Sequence, residues 1–161
     1  MKHNDITYEV EGIYEKPVVS SLEVEGFHFP LELYYHPDHT WAKIEGDRVR
    51  AGITPYAVHL AGEIRAITPR PVGKKIMIGG PIATLESNKW VGPMRNPVSG
   101  VVVESNSALE KDLSPLINDP YGEGWICVLK PSSLQEDLKQ LFHGNEAVSE
   151  WITMEIRGKG G

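Results

Sequence analysis

Between Trp41 and Glu104 the chain offers a short apolar segment about every ten residues, each closed by glycine, proline, asparagine or serine. That rhythm is the strongest constraint on the fold. It leaves no space for helical crossovers between parallel strands, and so predicts an all-β sandwich or barrel. Trp41–Ile44 and Arg48–Ile53 alternate on either side of Glu45-Gly46-Asp47, the pattern of a β-hairpin. Thr54-Pro55 then reads as an N-cap followed by proline at the first helical position. The short helix it opens runs through Leu60 and stops at Gly62. Further β segments follow at Ile64–Thr68, Lys75–Ile78, Ile82–Glu86, Val101–Glu104 and Trp125–Leu129. Pro71-Val72-Gly73 and Pro97-Val98-Ser99-Gly100 echo one another, each ahead of a strand, as two similar half-sandwiches would.

Helical signals close the chain. Ser133-Leu134-Gln135-Glu136 has capping-box spacing. Leu134, Leu138, Leu141 and Phe142 share one helical face up to Gly144. Val148, Trp151, Ile152 and Ile156 form a second amphipathic stretch, and Arg157–Gly161 reads as a loose tail. At the other end, Ile6–Val10, Val18-Val19 and Leu22–Gly26 are short β candidates in an extension that pads the main domain. The expected organisation is an extension over residues 1–30, a β domain over 31–145 and a C-terminal helix and tail over 146–161.

Charge narrows the function. The net charge of -6 argues against nucleic acid, which calls for a basic face. No apolar run is long enough to span a bilayer, and the acidic, polar opening Met1–Asp5 reads as neither a secretory signal nor a transit peptide. The single cysteine, Cys127, rules out an intrachain disulfide and suits a reducing, cytoplasmic setting. Cys127 lies in an apolar strand pattern and reads as core. No nucleophile–base pair and no phosphate loop supports an enzyme acting alone.

The chemistry concentrates in Leu85–Met94. A strand runs into Ser87-Asn88-Lys89, and a second apolar segment leaves it. If this is a hairpin, Lys89 sits at its tip, with Asn88 suited to a left-handed turn position. A lysine there is open to a modifying enzyme, and acylation would extend a side chain already held clear of the protein. On composition alone, the default is a solubilising turn lysine.

Glu86-Ser87-x-Lys89 followed by Pro97-Val98-Ser99-Gly100 resembles the lipoylation segment of glycine-cleavage H proteins. Three more blocks match in order: Tyr35–Trp41, Val49–Tyr56 and Asp119–Trp125. The resemblance spans roughly residues 33 to 145. It implies a lipoyl/biotinyl-type β-sandwich (a barrel-sandwich hybrid), mainly β, with C-terminal helices. It also implies lipoic acid in amide linkage on Lys89, with Glu86, Ser87, Asn88 and Trp90 around the attachment point, and a carrier rather than an enzyme. The implied partners are a lipoate ligase or lipoyl-synthesis enzymes, dihydrolipoamide dehydrogenase, and the enzymes that load and unload the arm. For a genuine glycine-cleavage protein these last are glycine decarboxylase and aminomethyltransferase, and the cargo is an aminomethyl group.

The chain departs from the usual H pattern where small aliphatic residues flank the lysine. Asn88 and Trp90 stand there, Gly92-Pro93 replaces a more polar pair, and the segment before Leu31 is long. Glu86–Pro93, with Phe29-Pro30 and Leu33–His36, is more similar to the lipoate-binding proteins of sulfur-oxidising prokaryotes. Those serve a heterodisulfide-reductase-like complex, and that likeness implies sulfur as cargo. An H-like adaptor that carries nothing is the reading of another class; intact mass separates the two. Biotin fits less well, because methionines usually flank a biotinylated lysine. Trp90 reads equally as packing or as a partner anchor. His36 and His39 have a spacing that can hold metal on a helix, but Pro37 and the extended context favour a structural role.

Overall fold

The computed structural model describes the backbone of residues 6–11 and 14–160 and the side chains of residues 20–158. The opening Met1–Asp5 and the final Gly161 lie outside the described residues. Two compact units emerge, one formed by residues 1–33 with 142–161, the other by 34–141.

The first unit begins with two antiparallel hairpins, β1 (Ile6–Glu11) with β2 (Tyr14–Val19), and β3 (Ser21–Val24) with β4 (Phe27–Pro30). The alternating Leu22–Gly26 segment is thus one arm of a hairpin. Val24 pairs with Phe27, and the two turn residues Glu25 and Gly26 both take positive φ, 52° and 84°. That is the type I′ geometry whose twist matches the flanking strands, here with glutamate tolerating the left-handed position.

The second unit is a sandwich. Its larger sheet has the order β5-β6-β7-β13-β12-β9, and its smaller sheet the order β11-β10-β8, with every pairing antiparallel. In chain order these are β5 (Tyr34–Tyr35), β6 (Thr40–Glu45), β7 (Arg48–Ile53), helix α1 (Pro55–Ala61), β8 (Ile64–Pro69), β9 (Lys75–Ile76), β10 (Pro81–Ser87), β11 (Val91–Arg95), β12 (Gly100–Ser105), a 3-10 turn at Ser107–Glu110, helix α2 (Ser114–Asn118), β13 (Cys127–Pro131) and helix α3 (Leu134–Leu138). Both sheets bury one face in a common core that includes Val49, Ile53, Ile67, Ile82, Leu85, Val102 and Leu129. Cys127 belongs to that core, and burial pushes its thiol up to about 12.

The local signals explain much of this frame. Glu45 pairs with Arg48 across a turn that puts Gly46 at φ 65°, and the Arg50 guanidinium bonds Glu45 at 3.0 Å. Thr54 caps α1 by accepting the Ala57 N–H at 3.1 Å, and Gly62 ends it. Trp41 lies against the bare α-carbon of Gly52, where an added Cβ would stand 2.6 Å from the indole. Its Nε1–H reaches the carbonyls of Ile53 at 3.0 Å and Pro120 at 3.2 Å, which ties β7 to the Asp119–Trp125 turn cluster.

Several expectations are corrected. The strands that follow the Pro71–Gly73 and Pro97–Gly100 echo, β9 and β12, pair with each other in one sheet. Ser133 makes no side-chain cap, and the exposed Glu136 instead bonds Lys139 at 3.2 Å. The face Leu134–Phe142 is not one helix. α3 ends at Leu138; Leu134, Leu138 and Leu141 pack with the sandwich core, while Phe142 stacks on Trp151 at 5.0 Å within the other unit. Helix α4 (Asn145–Gly160) runs past Arg157, because no proline or left-handed cap breaks its backbone bonding there. It packs on β3 within the first unit. Among the described residues, no helix is long and apolar enough to cross a membrane.

Candidate functional site

Lys89 stands in the turn that joins β10 to β11, exposed, with its amine in no ion pair among the described residues. The turn is held by its neighbours. Glu86 pairs with Val91, and the Ser87 N–H donates to the Trp90 carbonyl at 2.9 Å. Ser87 is only 8% exposed, and its hydroxyl accepts the N–H groups of Lys89 at 3.1 Å and Trp90 at 3.3 Å. One serine oxygen therefore fixes the peptide planes on both sides of the lysine, the local side-chain-to-backbone bonding that favours serine in turns.

Asn88 takes no positive φ, so the expected left-handed role is corrected. It anchors the turn instead. Its N–H donates to the Glu63 carbonyl at 2.9 Å, and its Oδ1 accepts the Glu63 N–H at 3.0 Å. This reciprocal pair clamps the hairpin tip to the corner between α1 and β8. At that corner Gly62 has φ 80°, and a Cβ there would lie 3.1 Å from Lys89 Cε and 2.9 Å from Asn88 Oδ1. The aliphatic stem of the lysine thus passes close to Gly62, a position whose positive φ favours glycine. Sequence reasoning read Gly62 only as a helix stop and did not find Glu63; no spacing rule links residues 25 positions apart.

Trp90 is 40% exposed, and its indole lies against Gly92, where a Cβ would meet Cζ3 at 2.5 Å. The two departures from the usual H pattern are one feature, since the glycine makes space for the tryptophan. Beside them a groove of about 310 Å³ is lined by Asp38, His39, Ala57, Leu60, Trp90, Pro93, Met94 and Arg95. Glu86 is exposed on its strand and joins no ion pair among the described residues.

The two histidines act separately. His36 Nδ1 accepts the Asp38 N–H at 3.0 Å, and burial holds its pKa below the ordinary value, with Asp38 opposing and Arg95 adding to the shift. His39 is buried at φ 69° and packs edge-on against Tyr56 at 5.0 Å. The Asn96–Gly100 segment lies at the far end of β11 from the lysine and is buried throughout. Asn96 donates to the Ile76 carbonyl at 3.1 Å and accepts the Val98 N–H at 3.2 Å. Ser99 Oγ accepts the Ile78 N–H at 2.7 Å, while the Ser99 N–H donates to the buried Asp137 carboxylate at 2.7 Å.

A β-sandwich that clamps a hairpin turn while leaving its lysine in solvent has the architecture of a carrier domain. The matching family model, described as glycine cleavage H-protein, covers residues 33–153, and the chain belongs to that family. Its relatives include "Probable glycine cleavage system H protein 2" of Sulfolobus acidocaldarius, 47% identical over 75% of this chain and 83% of that one. "Glycine cleavage system H protein 2" of Aquifex aeolicus is 44% identical over 80% of this chain and 81% of that one. The crystal structure of a glycine cleavage system H protein from Mycobacterium marinum matches with TM-score 0.65 and 30% identity, over 79% of this chain and 98% of that one. Members of this family carry lipoate covalently on a lysine and act as carriers rather than as catalysts.

Proposed function

We propose that Lys89 is the lipoyl attachment site and that Ser87, Asn88 and Trp90, with Gly62 and Glu63, hold it for modification and for partner enzymes. The observation that carries this reading is the double anchoring of the turn, by Ser87 from within and by Asn88 on Glu63 from outside, around a side chain left in solvent. A rigid tip with a free lysine is what a ligase or lipoyl-synthesis enzyme must find, and pre-organisation lowers the cost of recognising it. The attached group supplies the disulfide–dithiol couple that bears cargo and reducing equivalents. Tethering raises its effective concentration at each partner's site. Peptide mass spectrometry after treatment with a lipoate ligase should place the added mass on Lys89 and on no other lysine. Lys89→Arg should abolish it without loss of fold. Modification elsewhere, or none, refutes the assignment and leaves the unmodified adaptor.

For the partner set, the reading we advance is a sulfur carrier serving a heterodisulfide-reductase-like complex in the cytoplasm, with dihydrolipoamide dehydrogenase as the redox partner. Its support is the indole lying on Gly92 beside the arm, a bulky wall that fits one partner and clashes with another. Three relatives from Aquifex aeolicus are named H proteins 2, 3 and 5, and several carriers in one organism are what partner specialisation requires. The names of the relatives favour a second reading, a glycine-cleavage protein that carries the aminomethyl group between glycine decarboxylase and aminomethyltransferase. The decarboxylation of glycine by glycine decarboxylase, with this protein lipoylated and compared with an ordinary H protein, separates them. Poor activity, partly restored by Trp90→Ala, is the expected result. Full activity of the unaltered protein places it in glycine cleavage.

A further inference from the structure

The cations of this chain are unevenly placed. Of its 16 lysines and arginines, Arg65, Arg70, Lys74 and Lys75 fall within residues 64–81, a stretch without one of its 22 acidic residues. Arg70, Lys74 and Lys75 gather where β8 ends and β10 begins, lining a hollow of about 540 Å³ with Ile76, Met77 and Pro81. None of the three joins an ion pair among the described residues. Two large apolar side chains stand in solvent in the same segment, Val72 at 63% and Met77 at 59% exposure. The backbone that presents them is tied down. Arg70 N–H donates to Ile82, Gly73 N–H to Val102, and Val102 N–H to Lys74, each at 2.8 Å.

We infer that this surface docks the carrier onto an acidic face of its partner enzymes, with Val72 and Met77 entering an apolar contact and Arg70, Lys74 and Lys75 meeting carboxylates. The inference rests on the carrier reading, because only a protein that must visit partners needs such an anchor. Charge complementarity selects the occupant. A chain of net charge -6 is repelled by an extended polyanion such as nucleic acid or an anionic membrane, whereas a partner's acidic patch of matching size meets only the basic one. The exposed apolar pair also asks for a desolvating protein contact. Place is the second argument. β10 runs from Pro81 at this surface to Ser87 at the lysine turn, on the order of 20 Å at the rise of an extended strand. Docking here holds the carrier while leaving the arm unobstructed.

The test follows the amide resonances of the full-length protein as a synthetic peptide, glutamates around a single leucine, is added. The expected result is saturable shifts confined to residues 70–81, with affinity falling roughly fivefold or more between about 50 and about 300 mM salt. Lys74→Glu with Lys75→Glu should weaken binding by at least about tenfold, whereas Lys43→Glu with Lys111→Glu, an equal change in charge, should leave it within about twofold. Absent binding, shifts centred elsewhere, equal loss in both double variants, or equally tight binding of a single-stranded oligonucleotide to the same residues overturns the inference. Intact mass of the lipoylated Lys74→Glu/Lys75→Glu protein reports Lys89 separately, so failure of the docking surface and failure of the carrier reading are distinguished.

Discussion

The two ends of β11 carry equally recognisable motifs and do opposite work. At the start, the side chains of Ser87 and Asn88 accept backbone N–H groups and leave the lysine side chain in solvent. At the end, Asn96–Gly100 turns its side chains inward, where Asn96, Ser99 and Asp137 satisfy N–H and C=O groups of two segments, Ile76–Ile78 and Val98-Ser99. The first presents a side chain; the second holds the sheets in register behind it. A motif therefore does not announce its role. Burial decides it.

Substitutions at the two ends should separate along that line. The largest effect is expected at Gly100→Ala. Its Cβ would press on the Lys130 carbonyl group and stand 3.1 Å from the Pro131 α-carbon, both backbone atoms of the paired strand β13. Overpacking against backbone costs roughly 2–3 kcal/mol, a fall in Tm of about 5–10 °C by scanning calorimetry. An unchanged Tm would mean that the ladder gives way there. Asp137→Ala strands the buried Ser99 N–H, and urea unfolding should show a loss of about 2 kcal/mol. Ser87→Ala should cost least, about 0.5–1 kcal/mol, because water reaches the two N–H groups it releases. It should nonetheless slow ligase modification of Lys89. Should Ser87→Ala prove the most destabilising of the three, the contrast between the two ends fails.

The parts written in local chemistry were legible in the sequence. The Thr54–Gly62 helix, the Gly46 hairpin and the strand rhythm each depend on residues a few positions apart, and each stands close to where it was expected. The exposed lysine turn was legible for the same reason. The missed features depend on distant partners. Asn88 meets Glu63, Ser99 meets Asp137, and Trp41 meets Pro120, and no local pattern encodes these pairings. The Ser133 capping box does not form, and Glu136 bonds Lys139 instead. Trp90 and Gly92 are two departures in the sequence and one contact in the fold, because the indole lies against the glycine.

Pro93 has a consequence for colloidal behaviour. β11 is the outer strand of its sheet, so one side of its backbone is open to pairing with another chain. Ser87 and Trp90 form a hydrogen-bonded pair, and alternation along the hairpin makes Thr84 and Pro93 a pair whose amide positions point away from the partner strand. Proline there breaks no ladder bond, yet it removes a donor from the middle of the free edge. A protein whose work is repeated encounter brings this strand close to other surfaces at every visit, and the missing donor makes strand addition, and the aggregates that grow from it, a poor outcome of each meeting.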